Sequence, residues 1–142
     1  MKSILRNGLV GAVLFAGVMN VAMANQVTIT NVSQLHKPMT VVYEVAHKNS
    51  GDHVVLGAQQ TLTVNEPVLL PVDLENFDFA GIVIVSVDGH VLPVDDNQFD
   101  TPEQCSLTTD KNHTAGIVQL DSNTSSGGHG SINCSIKGGV FN

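Results

Sequence analysis

Residues 80–94 read Ala80-Gly81-Ile82-Val83-Ile84-Val85-Ser86-Val87-Asp88-Gly89-His90-Val91-Leu92-Pro93-Val94. Every position from Ile82 to Val87 except Ser86 is β-branched. A short run of that composition is a strand buried on both faces. Asp88-Gly89 then offers two residues that tolerate positive φ, as a type I′ turn requires, so His90 to Val94 is expected to return alongside as the second strand of a hairpin. A hairpin inside a β core is the centre of the fold.

The chain before that centre opens with a different kind of segment. Lys2 and Arg6 precede an apolar run from Leu9 to Val18, and Ala22-Met23-Ala24 places small residues where a signal peptidase reads them. Residues 1–24 are therefore predicted to be a secretory leader cleaved after Ala24. The run is shorter than the ~20 residues that span a bilayer core. No cysteine stands at the cleavage point to take a lipid, so the mature form, residues 25–142, is expected off the membrane, secreted or periplasmic. That form is 142 less 24, or 118, residues long, the size of one domain.

Its four lysines, no arginine and thirteen acids give a formal charge of 4 − 13 = −9. Binding a nucleic acid needs a basic footprint that releases counterions, and this chain has none. An anionic membrane surface is disfavoured for the same reason. Cys105 and Cys134 both survive processing and would meet an oxidising compartment, where one disulfide between them is expected. A pair of zinc thiolates would need closer cysteine spacing.

Seventeen Val against four Ala, with ten Thr, is the composition of pleated, half-buried surface and not of helices. Val27-Thr28-Ile29-Thr30 alternates as a first strand. Met39, Val41, Tyr43 and Val45 share one face, and after the loop Lys48 to Asp52 the parity resumes in Val54, Leu56, Ala58, Leu62 and Val64, which predicts a hairpin with a bulge at Gly57. Pro67 and Pro71 bracket Val68 to Leu70 and confine it to an edge or a crossover.

Glu75 to Phe79 is expected as a loop and Asp95 to Glu103 as an acidic connection. Short strands follow at Cys105 to Thr109 and Thr114 to Leu120. The glycine- and serine-rich Asp121 to Ser131 is read as a loop. In the last strand, Ser131 to Lys137, Ile132, Cys134 and Ile136 face inward while Ser131, Asn133, Ser135 and Lys137 face out. Eight or nine short strands with turn signals between them predict an all-β, antiparallel β-sandwich of immunoglobulin-like general shape, with a closed barrel as the alternative.

Several residues invite a chemical reading. His47 and His53 flank the first hairpin loop, but if Val45 opposes Leu56, His47 points inward and His53 outward, so the pair shares no ion. An amino-terminal copper clasp needs a histidine at the third mature position, where Val27 stands. His129 lies within Gly127-Gly128-His129-Gly130, more consistent with a plain loop than with an anion nest. The acidic stretch 95–103 lacks the ligand order of a calcium loop, since Phe99 occupies the fifth place.

No Gly-x-Ser-x-Gly elbow or His-Glu-x-x-His helix occurs, and no cysteine stands outside the expected pair, so neither catalytic residues nor a cofactor are assigned. Sugar stacking is weakened by the lack of Trp and by a single, inward Tyr43. Asn31, Asn112, Asn123 and Asn133 begin glycosylation triplets, which matter only for export through an endoplasmic reticulum. The expected function is non-enzymatic: binding of another macromolecule, a host or envelope protein, through loops or a strand edge. A metal-binding protein using His and Asp loops is the rival class, and a hydrolase with a dispersed site the third.

Overall fold

The computed structural model describes residues 24–33, 37–95, 98–99, 101, 103–124 and 130–140, with the backbone alone at 123, 124 and 130. The predicted leader apart from Ala24, His129, and positions 96, 97, 100 and 102 of the acidic connection lie outside the described residues. Within them the chain is all-β: β1 (Asn25–Asn31), β2 (Met39–Lys48), β3 (Val55–Val64), β4 (Val68–Val72), β5 (Phe79–Val87), β6 (His90–Val91), β7 (Ser106–Thr109), β8 (Ala115–Thr124) and β9 (Gly130–Gly138). They form two sheets. One runs β4-β1-β8-β9; the other runs β3-β2-β5-β6, with β7 also paired to β5.

The two sheets share one core. Val27, Ile29, Val72, Val118 and Leu120 from the first meet Met39, Val41, Tyr43, Ile82, Ile84 and Leu107 from the second. Removing such side chains from water supplies the main folding drive, about 1.5 to 3 kcal/mol for each large one. A smaller cluster of Ala46, Val54, Val83 and Phe99 covers the opposite face of β2 and β5. β5 is therefore buried on both sides, as its unbroken β-branched run predicts: Ile82, Val83 and Ile84 are all fully buried.

Cys105 and Cys134 are joined, with their α-carbons 5.8 Å apart. Cys105 immediately precedes β7 and Cys134 lies on β9, so the bridge ties one sheet to the other at their margins. β9 keeps its expected parity, with Ile132, Cys134 and Ile136 half-buried between exposed neighbours. The proline-bracketed segment is an edge strand, β4, paired only to β1.

Five expectations are corrected. β1 and β8 run parallel, from Gln26 beside Ala115 to Asn31 beside Leu120, so the sheets are not purely antiparallel. The long intervening chain supplies the crossover that a parallel pair requires. Two separate sheets also replace the closed-barrel alternative. The strand after Asp88-Gly89 is only His90–Val91. Both turn residues have positive φ, 50° and 82°, as the turn type demands, but Pro93 has no N–H to extend the ladder.

The fourth concerns the first hairpin: a register shift between Glu44 and Ala46 leaves an extra residue on β3 beside Gly57, so Leu56 faces Ala46 and not Val45. Val54 and Leu56 consequently pack in the smaller cluster, while Leu62 packs against, and Val64 lies within, the main core. Last, Asp121 to Thr124 and Gly130 are not loop but strand, zipped from Asp121–Asn133 to Thr124–Gly130.

Candidate functional site

Strand direction gathers the amino-terminal end of β1 and the loops 49–54, 73–78 and 110–114 at one end of the molecule. These loops are clipped together by side chains that mimic backbone. The Ser50 amide donates to Asp78 Oδ2 at 2.9 Å and the Asp78 amide donates to Asn49 Oδ1 at 3.0 Å. Asn25, the first residue of β1, is buried, and its Nδ2 donates to Thr109 Oγ1 and to the Asp110 carbonyl, both at 3.0 Å. Nothing in the alternation of β1 reveals that clip. Replacing Asn25 by Ala leaves one buried and one half-buried acceptor short of a donor and is expected to cost about 1 to 3 kcal/mol, read as a lowered urea midpoint at unchanged slope.

His47 does point inward along β2, as its parity requires. Its Nε2 donates to the Asp73 carbonyl at 2.8 Å and lies 3.6 Å from Glu75 Oε2, and its ring packs on Phe77 with centroids 4.9 Å apart. Glu75 holds a φ of 55°, a conformation that side chains other than Asn, Asp and Gly seldom adopt. His53 is exposed and lines a separate hollow of about 520 Å³ with Lys48, Asp52, Phe79 and Phe99. The structure thus does not bring the two histidines together. Among the described residues no group of three or more His, Cys, Asp or Glu is arranged to hold a metal ion.

Asp110 Oδ1 collects three donors: the amides of Asn112 and His113 at 2.8 and 2.7 Å and His113 Nδ1 at 3.0 Å. Burial alone would raise the Asp110 carboxyl; the Asn112 amide, then the His113 imidazole and amide, outweigh it and hold the pKa below the ordinary value. The depressed value means that stability is present above the unfolded carboxylate pKa, about 3.9, and is lost as pH falls through the lower folded one. Asp110→Asn is expected to flatten the acid limb of a stability-versus-pH curve below about pH 4, leaving the neutral region the less stable.

The remaining expectations concern the acidic connection and the glycosylation triplets. Asp95 is half-buried, its carbonyl accepting from Gln104 Nε2 at 3.1 Å, and Glu103 is exposed. Asn31 is locked, with Nδ2 donating to the carbonyls of Lys37 and Val64 at 2.7 and 3.0 Å, whereas Asn112 and Asn133 are exposed.

A different feature lies on the long edge of the second sheet. β3 pairs with β2 on one side, and no other described strand pairs with it. Its ten residues, Val55 to Val64, contain no charged side chain and no proline, and Gly57 through Thr61 are all exposed. Natural edges are usually blunted by lysine, proline or an inward-pointing charge. β3 has none of these along its length, and its one irregularity is the bulge beside Gly57. Beside it the outer face carries a shallow groove of about 550 Å³ whose lining includes Leu56, Gln59, Val85, Val91 and Leu92. Val91, one of the large apolar residues left open, is 80% exposed.

Scans against protein-family models, curated proteins and solved structures return no match. The alternation of residues 54–64 predicts the strand but not its place at the margin, whose one sign in the sequence is the charge-free stretch from Val54 to Asn65 in a strongly acidic chain.

Proposed function

We propose that this chain is an exported, non-enzymatic binding protein, a β-sandwich of immunoglobulin-like general shape, that takes an extended strand of a second polypeptide along β3. The observation that carries the reading is the ten-residue uncharged edge, whose free backbone donors and acceptors are the recognition elements of strand addition. Main-chain hydrogen bonds supply affinity, and the groove beside the edge, half polar through Glu44 and Gln59 and half apolar through Leu56, Val85 and Val91, accepts side chains from the incoming strand.

Export is supported from two sides. The disulfide suits an oxidising compartment, the periplasm or the exterior, and β1 begins at Asn25, the residue that cleavage after Ala24 would leave first. Intact-mass analysis of exported material is expected to give a species starting at Asn25; retention of the apolar run would make the segment an anchor.

The binding test is a photo-crosslinking amino acid at Thr61, carried by the exported chain in its own envelope. A protein adduct at Thr61 that is absent with the probe at Lys111, on the loop end, supports the reading. No adduct at Thr61 removes it. Calorimetry with zinc, copper and calcium tests the rival class, and binding of any one at near-unit stoichiometry would put a metal protein in its place.

A further inference from the structure

We infer that the occupant of the β3 edge is a second copy of this chain, paired antiparallel about a twofold axis at Thr61. The inference rests on the reading of β3 as a docking edge and names its partner. This edge is where charge does not oppose a like partner. Two copies that each carry a formal −9 repel across most of their surfaces, because thirteen acids face only four lysines in residues 25–142. From Val54 to Asn65 there is no ionisable side chain, so along this edge two copies approach with no carboxylate opposed to another.

The other long edges are worse suited. β4 contains Pro71, which lacks an N–H, and β9 carries Lys137.

Register follows from parity. Gln60, Leu62 and Val64 lie opposite Tyr43, Val41 and Met39 and share their face, while Gln59, Thr61 and Thr63 share the outer one. Directly paired residues of a continuous sheet point to the same side, so the positions that meet must be both odd or both even. A twofold axis therefore passes through a residue and not between two.

The unbroken part of the edge runs from Gln59, beyond the bulge, to Val64, before Asn65-Glu66-Pro67. An axis at Thr61 uses that segment: Thr61 meets itself, Gln59 meets Thr63 and Gln60 meets Leu62. On the outer face these are threonine and glutamine pairs, which hydrogen-bond well across strands.

The test uses the exported chain with its disulfide intact. Light scattering across a concentration series should show the mass doubling, and Thr61→Lys, which sets two like charges against each other at the axis, should abolish the doubling while leaving the circular dichroism unchanged. Thr61→Cys should give a covalent dimer with a short thiol-to-thiol crosslinker, since facing β-carbons lie about 4.5 to 5.5 Å apart. Lys111→Cys should not.

A dimer that persists in Thr61→Lys, or that fails to link through Thr61→Cys, overturns the inference. A chain monomeric throughout the series whose Thr61 probe captures a different protein overturns the inference but keeps strand addition at β3. A monomer with no adduct at Thr61 overturns both.

Discussion

Gly81→Ala is expected to lower the unfolding free energy by about 3 kcal/mol, the upper end of what forced overpacking costs. Gly81 faces Thr108 across the β5–β7 pair. A β-carbon built at Gly81 would lie 2.0 Å from the Leu107 carbonyl oxygen and 3.0 Å from the Thr108 α-carbon. Both are backbone atoms, so no rotamer change relieves the overlap. β7 would have to withdraw, with the loss of the 2.7 Å bond from Thr109 Oγ1 to the Ala80 carbonyl and disturbance of the Asn25 clip on the same hydroxyl.

Gly116 and Gly139 approach the same two residues from other sides: a β-carbon at Gly116 would meet the Leu107 side chain at 2.5 Å, and one at Gly139 the Thr108 carbonyl at 2.6 Å. β7 thus lies in a slot bounded by three glycines. Gly116→Ala meets the end of a side chain most closely, with the Lys137 carbonyl oxygen at 3.0 Å, and is expected to cost less than Gly81→Ala. Urea denaturation of the two variants checks the order, and a Gly81→Ala loss below about 1 kcal/mol would show that β7 can shift without penalty.

How much of this was legible in the sequence follows from what alternation reports. A period of two tells which face a side chain occupies, so β1, β2 and β9 were readable with their inward residues, and the Asp88-Gly89 turn was readable from local φ demands. Alternation is silent about neighbours. The parallel β1–β8 pair, the isolation of β3 and the slot around Leu107 are contacts between segments remote in sequence, and no local pattern encodes them.

Bulges hide a second kind of information, since each extra residue reverses the parity beyond it. The shift between Val42 and Tyr43 leaves Val85 as the extra residue of β5, so Ile82 and Ile84 face the main core, and Val87, not Ser86, resumes that face. The shift opposite Val45 does the same on β3, where Gly57 marked the place but not the consequence. The candidate site was least legible for a related reason. Strand addition uses backbone groups that almost every residue possesses, so its only trace in composition is what is missing, namely charge and proline.

Replacing both Cys105 and Cys134 by Ala is expected to lower stability by roughly 2 to 5 kcal/mol, a large part of the 5 to 15 typical of a domain. The bridge spans a sequence separation of 29, a loop whose closure in the unfolded chain is worth roughly 3 to 4 kcal/mol on the chain-entropy model. Its place in the fold concentrates the effect. β9 is a sheet margin paired only to β8, and its inward residues Ile132 and Ile136 are half-buried and pack at the rim of the core. The bridge is the covalent link that fastens this margin to the second sheet, through Cys105 beside fully buried Leu107.

Without it, β9 is held by the β8 ladder and a thin apolar face, while β5, buried on both sides, keeps its surroundings. Amide hydrogen exchange is therefore expected to speed up first along β9 and least along β5, with the same strands present in the folded fraction. A uniform increase across all strands would instead place the effect of the bridge in the unfolded chain alone. A double variant as stable as the parent would mean that the two sheet margins are already held together by packing.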